Sequence, residues 1–274
     1  MVDQDLVGRA KKLVEHRDLI KNLVIRDLKV RYKNSLLGFA WSLLNPLGMM
    51  IIFTVVFTVM LPYSDVEKFP VFVLCALLPW NWFSASVTGS TGSIVGNAAL
   101  VKKVYFPREV LPITVVLSNL VNFLLALIVL FGMMGIFRVG LTRWALLLPL
   151  VMLVQMIFTV GVALFLSTLN VFYRDTQVIM EVVMLAWFFL TPVFYPVSIL
   201  PQSYTLFGLS LDVQRLVYIL NPMASIIASY RVILYAGAPP ALDFLTRTAI
   251  TSVVILVLGY WFFARYSGRL AEEL

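Results

Sequence analysis

Seven stretches of this chain carry no Asp, Glu, Lys or Arg: 34–64, 69–101, 110–137, 144–173, 182–211, 216–230 and 248–264. A helix needs about 20 apolar residues to cross a bilayer. The first five stretches exceed that. The last is short, but Arg247 and Arg265 flank it, and long basic side chains at helix ends reach the polar interface. The chain is 61% hydrophobic and 13% charged, against about half and a quarter in soluble domains. These features predict an all-α membrane protein of about six transmembrane helices, near 36–61, 71–91, 110–136, 145–169, 177–197 and 245–266. Together with the region between the last two, they make 36–274 one transmembrane domain.

The stretch 216–230 is too short to span comfortably. Pro192, Pro196 and Pro201 precede it, followed by the polar run 202–205. Asn221 and Pro222 then form a helix start, with Asn as cap and Pro at the first helical position. The region 198–238 therefore reads as broken or re-entrant helices near one face. Irregular backbone survives at membrane depth only where protein or a water-filled cavity covers it, which leaves a pore mouth or a lid.

Fifteen of the 21 Lys and Arg residues lie in 1–35, 97–109, 170–176 and 265–274. The positive-inside rule places those segments, and so both termini, in the cytoplasm. Six lie on the other side, and Arg138 with Arg143 is a local exception there. The charge of +7 is thus explained by topology, with no nucleic-acid partner. The first 35 residues show no cleavable-signal pattern. Within them Leu6, Ala10, Leu13, Ile20, Val24 and Leu28 form one stripe, interrupted by Arg17 and Arg31. This predicts an amphipathic helix over 1–35 lying in the membrane interface or packed on other protein.

No ionisable side chain falls in the middle of an expected span, whereas ion-coupled transporters usually need one. His16 is the single His and Cys75 the single Cys, so no catalytic residues and no metal ligands are expected. Cys75 reads as a small core hydrophobe. The run GSTGSIVG at 89–96 lacks the Lys-Ser/Thr of a phosphate-binding loop and reads as small residues for close helix packing. ATP-driven transport would then need another polypeptide to hydrolyse the ATP. The loop 97–109 offers Asn97 as cap of a short helix through about Tyr105, carrying Lys102 and Lys103. It is either a knob that transmits motion from a soluble partner or a solvated loop that sets topology. Trp80, Trp82, Phe188 and Tyr195 sit near expected span ends or breaks. They are interfacial anchors or flat walls of a sugar-conducting channel.

Four motifs resemble one family. RDLKVRYKNSLLGFAWSLLNP at 26–46, KVYFPRE at 103–109, NVFYRD at 170–175 and TPVFY at 191–195 are similar in order and spacing to type-2 ABC exporter permeases, more narrowly their polysaccharide-export branch for O-antigen, capsule and teichoic acid. The resemblance implies a homodimeric pore and a separate ABC ATPase subunit that binds the ATP and Mg, with no cofactor in this chain. It implies a lipid-linked polysaccharide moved outward across the bacterial inner membrane. Lys102, Lys103, Arg108 and Glu109, with Arg174 and Asp175, would couple to the ATPase. Lys29 and Arg31 would meet the lipid pyrophosphate or anchor the first helix at the membrane lipids. The rival readings are an exporter permease for drugs or lipids, an ion-coupled lipid-glycan flippase and a non-transporting assembly factor.

Overall fold

The computed structural model describes residues 15–33, 38–60, 66–104, 106–206 and 209–274. Leu6, Ala10 and Leu13 of the N-terminal stripe, and Tyr105, lie outside the described residues. Eleven α-helices are present among them: α1 (Arg17–Tyr32), α2 (Trp41–Thr54), α3 (Phe69–Thr91), α4 (Ser93–Gly96), α5 (Ala98–Lys103), α6 (Val110–Ile136), α7 (Leu148–Phe172), α8 (Thr176–Leu190), α9 (Val213–Leu220), α10 (Pro222–Leu234) and α11 (Leu242–Tyr266). The chain is an all-α membrane protein. The helices α3, α6, α7 with its leading turn, and α11 are long and apolar enough to cross a membrane.

Two elements expected as full spans are shorter helices. The helix α2 carries Pro46 and gives way to a π-helical turn over Val55–Met60. The helix α8 stops at Leu190, short of the expected 197, and Thr191 is extended (φ −101°, ψ 131°). The cause is Pro192, whose ring pushes the preceding residue out of the helical region.

The region 198–238 is more varied than re-entrant helices alone. It holds an antiparallel hairpin, β1 (Ser203–Leu206) and β2 (Leu209–Asp212), paired from Ser203 with Asp212 to Leu206 with Leu209. After it, α9 and α10 meet at a 105° bend. Asn221 makes the bend, as the sequence predicts: its side chain accepts from the N–H groups of Met223 and Ala224 at 3.1 and 3.3 Å.

The helix α3 is the centre. Every residue from Val71 to Trp80 is buried, and α2, α6, α7, α8 and α10 all pack on it. A helix apolar on all sides fits only where other helices surround it. The outer helices instead leave large apolar side chains uncovered, such as Ile250, Val254, Val257 and Leu258 on α11. This is normal where lipid is the solvent.

The helix α11 lies tightly on α7. A Cβ added to Gly161 would come within 2.7 Å of the Leu256 backbone, and one added to Gly259 would collide with the Gly161 carbonyl. Small residues permit this approach, and dispersion contacts over the crossing reward it in a lipid solvent. Gly161→Val should therefore destabilise the purified protein by about 1–3 kcal/mol in detergent thermal unfolding. Gly132→Ala, where an added Cβ meets nothing within 4 Å, should cause no loss. An unchanged melting curve for Gly161→Val would refute the close crossing.

Candidate functional site

One end of the bundle gathers α1, the loop 97–109, the turn 173–175 and the C-terminal segment. A second apolar cluster joins them: Leu23 of α1, Val101 of α5, Phe106, Val110, Phe263 of α11 and Leu270. This basic end carries most of the expected partner-facing residues.

The short helix there is Ala98–Lys103, and Asn97 does not cap it with its side chain. The Asn97 carboxamide instead donates to the Ser93 carbonyl at 2.8 Å and accepts from Arg26 of α1 at 3.2 Å. It thus ties the knob to α1. The sequence showed a cap-forming residue at the right place, but a longer-range donor captured its oxygen. Val101 is buried while Lys102 and Lys103 project outward, so the helix presents charge on one face and anchors on the other.

Arg108 donates to the Ser267 carbonyl, linking the knob to the end of α11. Glu109 is 6% exposed. Both therefore belong to the chain's own packing as well as to its surface. They line a groove of about 660 Å³ with Lys102, Phe106, His16 and Gly268. Arg174 and Asp175 are exposed in the turn before α8. That helix reaches the knob region through Gln177, which lies against Gly92.

The helix α1 runs alongside α6. Leu23 sits near Leu111, and two turns on Arg31 donates to Asn119 Oδ1 at 2.8 Å. Asp27 lies 3.6 Å from the same guanidinium. Lys29 is exposed. The two residues expected to act together therefore differ: Arg31 is held against the bundle and Lys29 is not.

The four aromatic candidates also divide. Trp80 and Trp82 are two positions apart, about 200° around the helix, and point to opposite sides of α3. Trp80 meets Phe188 at 5.6 Å, and Phe188 meets Phe53 and Phe194. Tyr195 follows against Phe194. Trp82 instead stacks on Phe123 at 5.0 Å and donates to the Val116 carbonyl. Phe53, Phe57 and Phe194 escaped the sequence reading, although Phe53 and Phe57 share a helix face at i, i+4 spacing.

The sequence placed Arg231 among basic residues of one loop side. It is 9% exposed. Its guanidinium lies 3.6 Å from the Phe72 ring and donates to the carbonyls of Pro192, Val193 and Phe72. Trp187 and Thr191 meet Asn221 by hydrogen bonds at 2.9 and 2.8 Å. These contacts bolt the break after α8 to the bend of α9 and α10. Arg247, expected at a helix end, donates to the Tyr218 carbonyl in the same assembly. Among the described residues, no three His, Cys, Asp or Glu side chains gather as a metal ion requires.

Residues 18–235 match the family described as ABC-2 type transporter. The chain belongs to that family. It is similar to the O-antigen export system permease protein RfbA of Myxococcus xanthus, 36% identical over 273 residues, 98% of this chain and 100% of that one. The protein of that name from Klebsiella pneumoniae is 32% identical, covering 94% and 95%. The polysialic acid transport protein KpsM of Escherichia coli is 24% identical, covering 68% and 72%. In this ABC-2 family member, the matched stretch runs from α1 to the end of α10, and so includes both the knob and the Arg231 clamp.

Removing the clamp leaves several carbonyls unpaired in an apolar body, at about 1–3 kcal/mol each. Arg231→Met should therefore lose about 3 kcal/mol or more in thermal unfolding. Arg231→Lys should recover less than half, since an ammonium cannot spread its donors as a planar guanidinium does. Wild-type stability of the Met variant would show that the clamp carries no weight.

Proposed function

We propose that this chain is the membrane subunit of an ATP-driven exporter that moves a lipid-linked polysaccharide outward across the bacterial inner membrane. The observation that carries the reading is the end-to-end similarity to O-antigen export permeases, 98% of this chain against 100% of the Myxococcus protein. The residues fit the part. The basic end faces the cytoplasm by the positive-inside rule, which places both termini there.

An ABC ATPase docks at that end and binds the ATP and Mg, this chain holding no cofactor. The knob is suited to the contact, because Lys102 and Lys103 are exposed while Val101 and Phe106 fix the helix beneath them. Arg108 and Glu109 brace the groove, and Arg174 with Asp175 extends the contact surface. A second copy of the chain completes the pore. On α8 the exposed residues Val178, Val182 and Leu185 share the helix with exposed Glu181. A carboxylate is unfavourable against lipid and is better served by a protein or water-filled interface. Phe188 and Tyr195, both partly exposed, supply flat walls for a moving glycan, with buried Trp80 behind Phe188.

Deletion of the gene, with export of the lipid-linked glycan as readout, tests the reading. The glycan should accumulate on the cytoplasmic side, and the chain supplied together with its ATPase should restore export. Phe188→Leu, which keeps most of the packed volume and removes the ring, should fold and alter the exported amount or length. Undiminished surface glycan in the deletion strain would refute the proposal.

Coupling has its own test. Lys102→Glu combined with Lys103→Glu leaves the buried anchors in place, so the chain should still fold. Each charged hydrogen bond lost is worth about 1.5–3 kcal/mol, so co-purification of the ATPase should fall at least about tenfold. Normal co-purification and normal export would return these lysines to setting topology alone.

A further inference from the structure

A largely apolar notch of about 340 Å³ opens where α2, α3 and α6 meet, with Arg31, Asn81, Asn119 and Asn122 set among apolar residues and Trp41 in its lining. It lies deep. Asn81 is ten residues from the end of α3 at Thr91, and Asn119 nine from the start of α6 at Val110, about 14–15 Å along each helix from the basic end. Asparagine amides and a guanidinium at that depth, in otherwise apolar helices, need a reason.

The groups are arranged as a site. Arg31 is carried in by α1 and held by Asn119 Oδ1, whose own amide N–H is anchored on the Val115 carbonyl at 3.0 Å. A guanidinium has five N–H donors, and the contacts to Asn119 and Asp27 do not use them all. Asn81 lines the notch and makes no hydrogen bond to any described residue. Asn119 and Asn122 stand three residues apart, on one face of α6. Trp82 spends its N–H on the Val116 carbonyl, stacks on Phe123 and is 2% exposed, so it backs the notch as a closed apolar wall. Trp41, 51% exposed, stands at the rim. The volume lies at the low end of small-molecule sites, about 300–1,000 Å³: room for one sugar with its phosphate, too little for a glycan chain.

We propose that this notch recognises the first sugar and adjoining phosphate of the lipid-linked glycan. Arg31 takes a phosphate oxygen, the Asn81 amide meets a ring hydroxyl, Trp41 at the rim covers the apolar face of the ring, and the lipid tail stays in the bilayer beside it. A bare phosphate would satisfy the arginine and leave the Asn81 amide unpaired. An amide both donates and accepts, which matches a hydroxyl. The inference rests on the export reading above and narrows it to one subsite.

The full chain in phosphatidylcholine nanodiscs tests the proposal, with ligand retention followed by native mass spectrometry. The probes are a short-chain polyprenyl diphosphate carrying one hexose or one N-acetylhexosamine, the same polyprenyl diphosphate without sugar, and phosphatidylglycerol. At least one sugar-bearing probe should bind about tenfold tighter than the sugar-free one, and phosphatidylglycerol weakest. Asn81→Leu should abolish the sugar preference and keep diphosphate binding. Arg31→Gln should weaken both diphosphates alike. Asn81 has no partner to lose, so its variants should melt as wild type does, and Asn81→Ser serves as a second, smaller replacement.

Equal binding of sugar-bearing and sugar-free probes, or a preference that survives both Asn81 variants, would overturn the subsite. Phosphatidylglycerol binding as tightly as the diphosphates would make it a general anionic-lipid site and overturn it too. Any of these results leaves the export reading standing if the deletion strain still accumulates glycan inside. Intact export in that strain removes the reading itself.

Discussion

Backbone carbonyls released inside an apolar body must find donors, because hydrocarbon offers none. Pro192 ends α8 and releases carbonyls at 192 and 193, and the guanidinium of Arg231 takes both while stacking on Phe72. The arrangement lets a chain built of apolar helices contain a break. The bend of α9 and α10, held by Asn221 to Trp187 and Thr191, depends on the same assembly, as does the seating of α3, whose Phe72 carbonyl joins the clamp. A single planar cation with several donors suits a site where acceptors converge from two segments.

The opposite end is organised by shared side-chain packing. Leu23, Phe106, Phe263 and Leu270 come from the first helix, the knob, the last helix and the C-terminal segment. Asn97 and Arg108 then bind the knob to α1 and to Ser267. The knob is thus packed in one body with α1, α6 and the C-terminal segment, and packed interiors transmit displacement with little compression.

Between these ends, α3 separates two kinds of packing. Trp80 faces the aromatic series of Phe53, Phe188 and Phe194, and Trp82 faces Phe123 beside the amide-lined notch. The chain thus keeps weakly interacting flat faces on one side of its central helix and specific polar groups on the other.

The spacing of charged residues alone determined that the chain is a bundle of apolar helices. It also placed the helix over 110–136, the helix start at Asn221 and Pro222, and the basic residues of the knob. These follow from local rules: hydrocarbon excludes charge, proline forbids certain backbone angles, and asparagine caps helices. The tertiary structure decided which polar residues are partners. Arg231 looked like a loop charge and Arg247 like a helix-end anchor until other segments brought carbonyls to them. Asn97 was legible as a cap until Arg26, 71 positions away, took its oxygen. Asn81 and Asn119 drew no attention in the sequence, since nothing local in it links α3, α6 and the end of α1. The Gly161–Gly259 crossing was equally silent, because a glycine records that space is short but not which helix fills it.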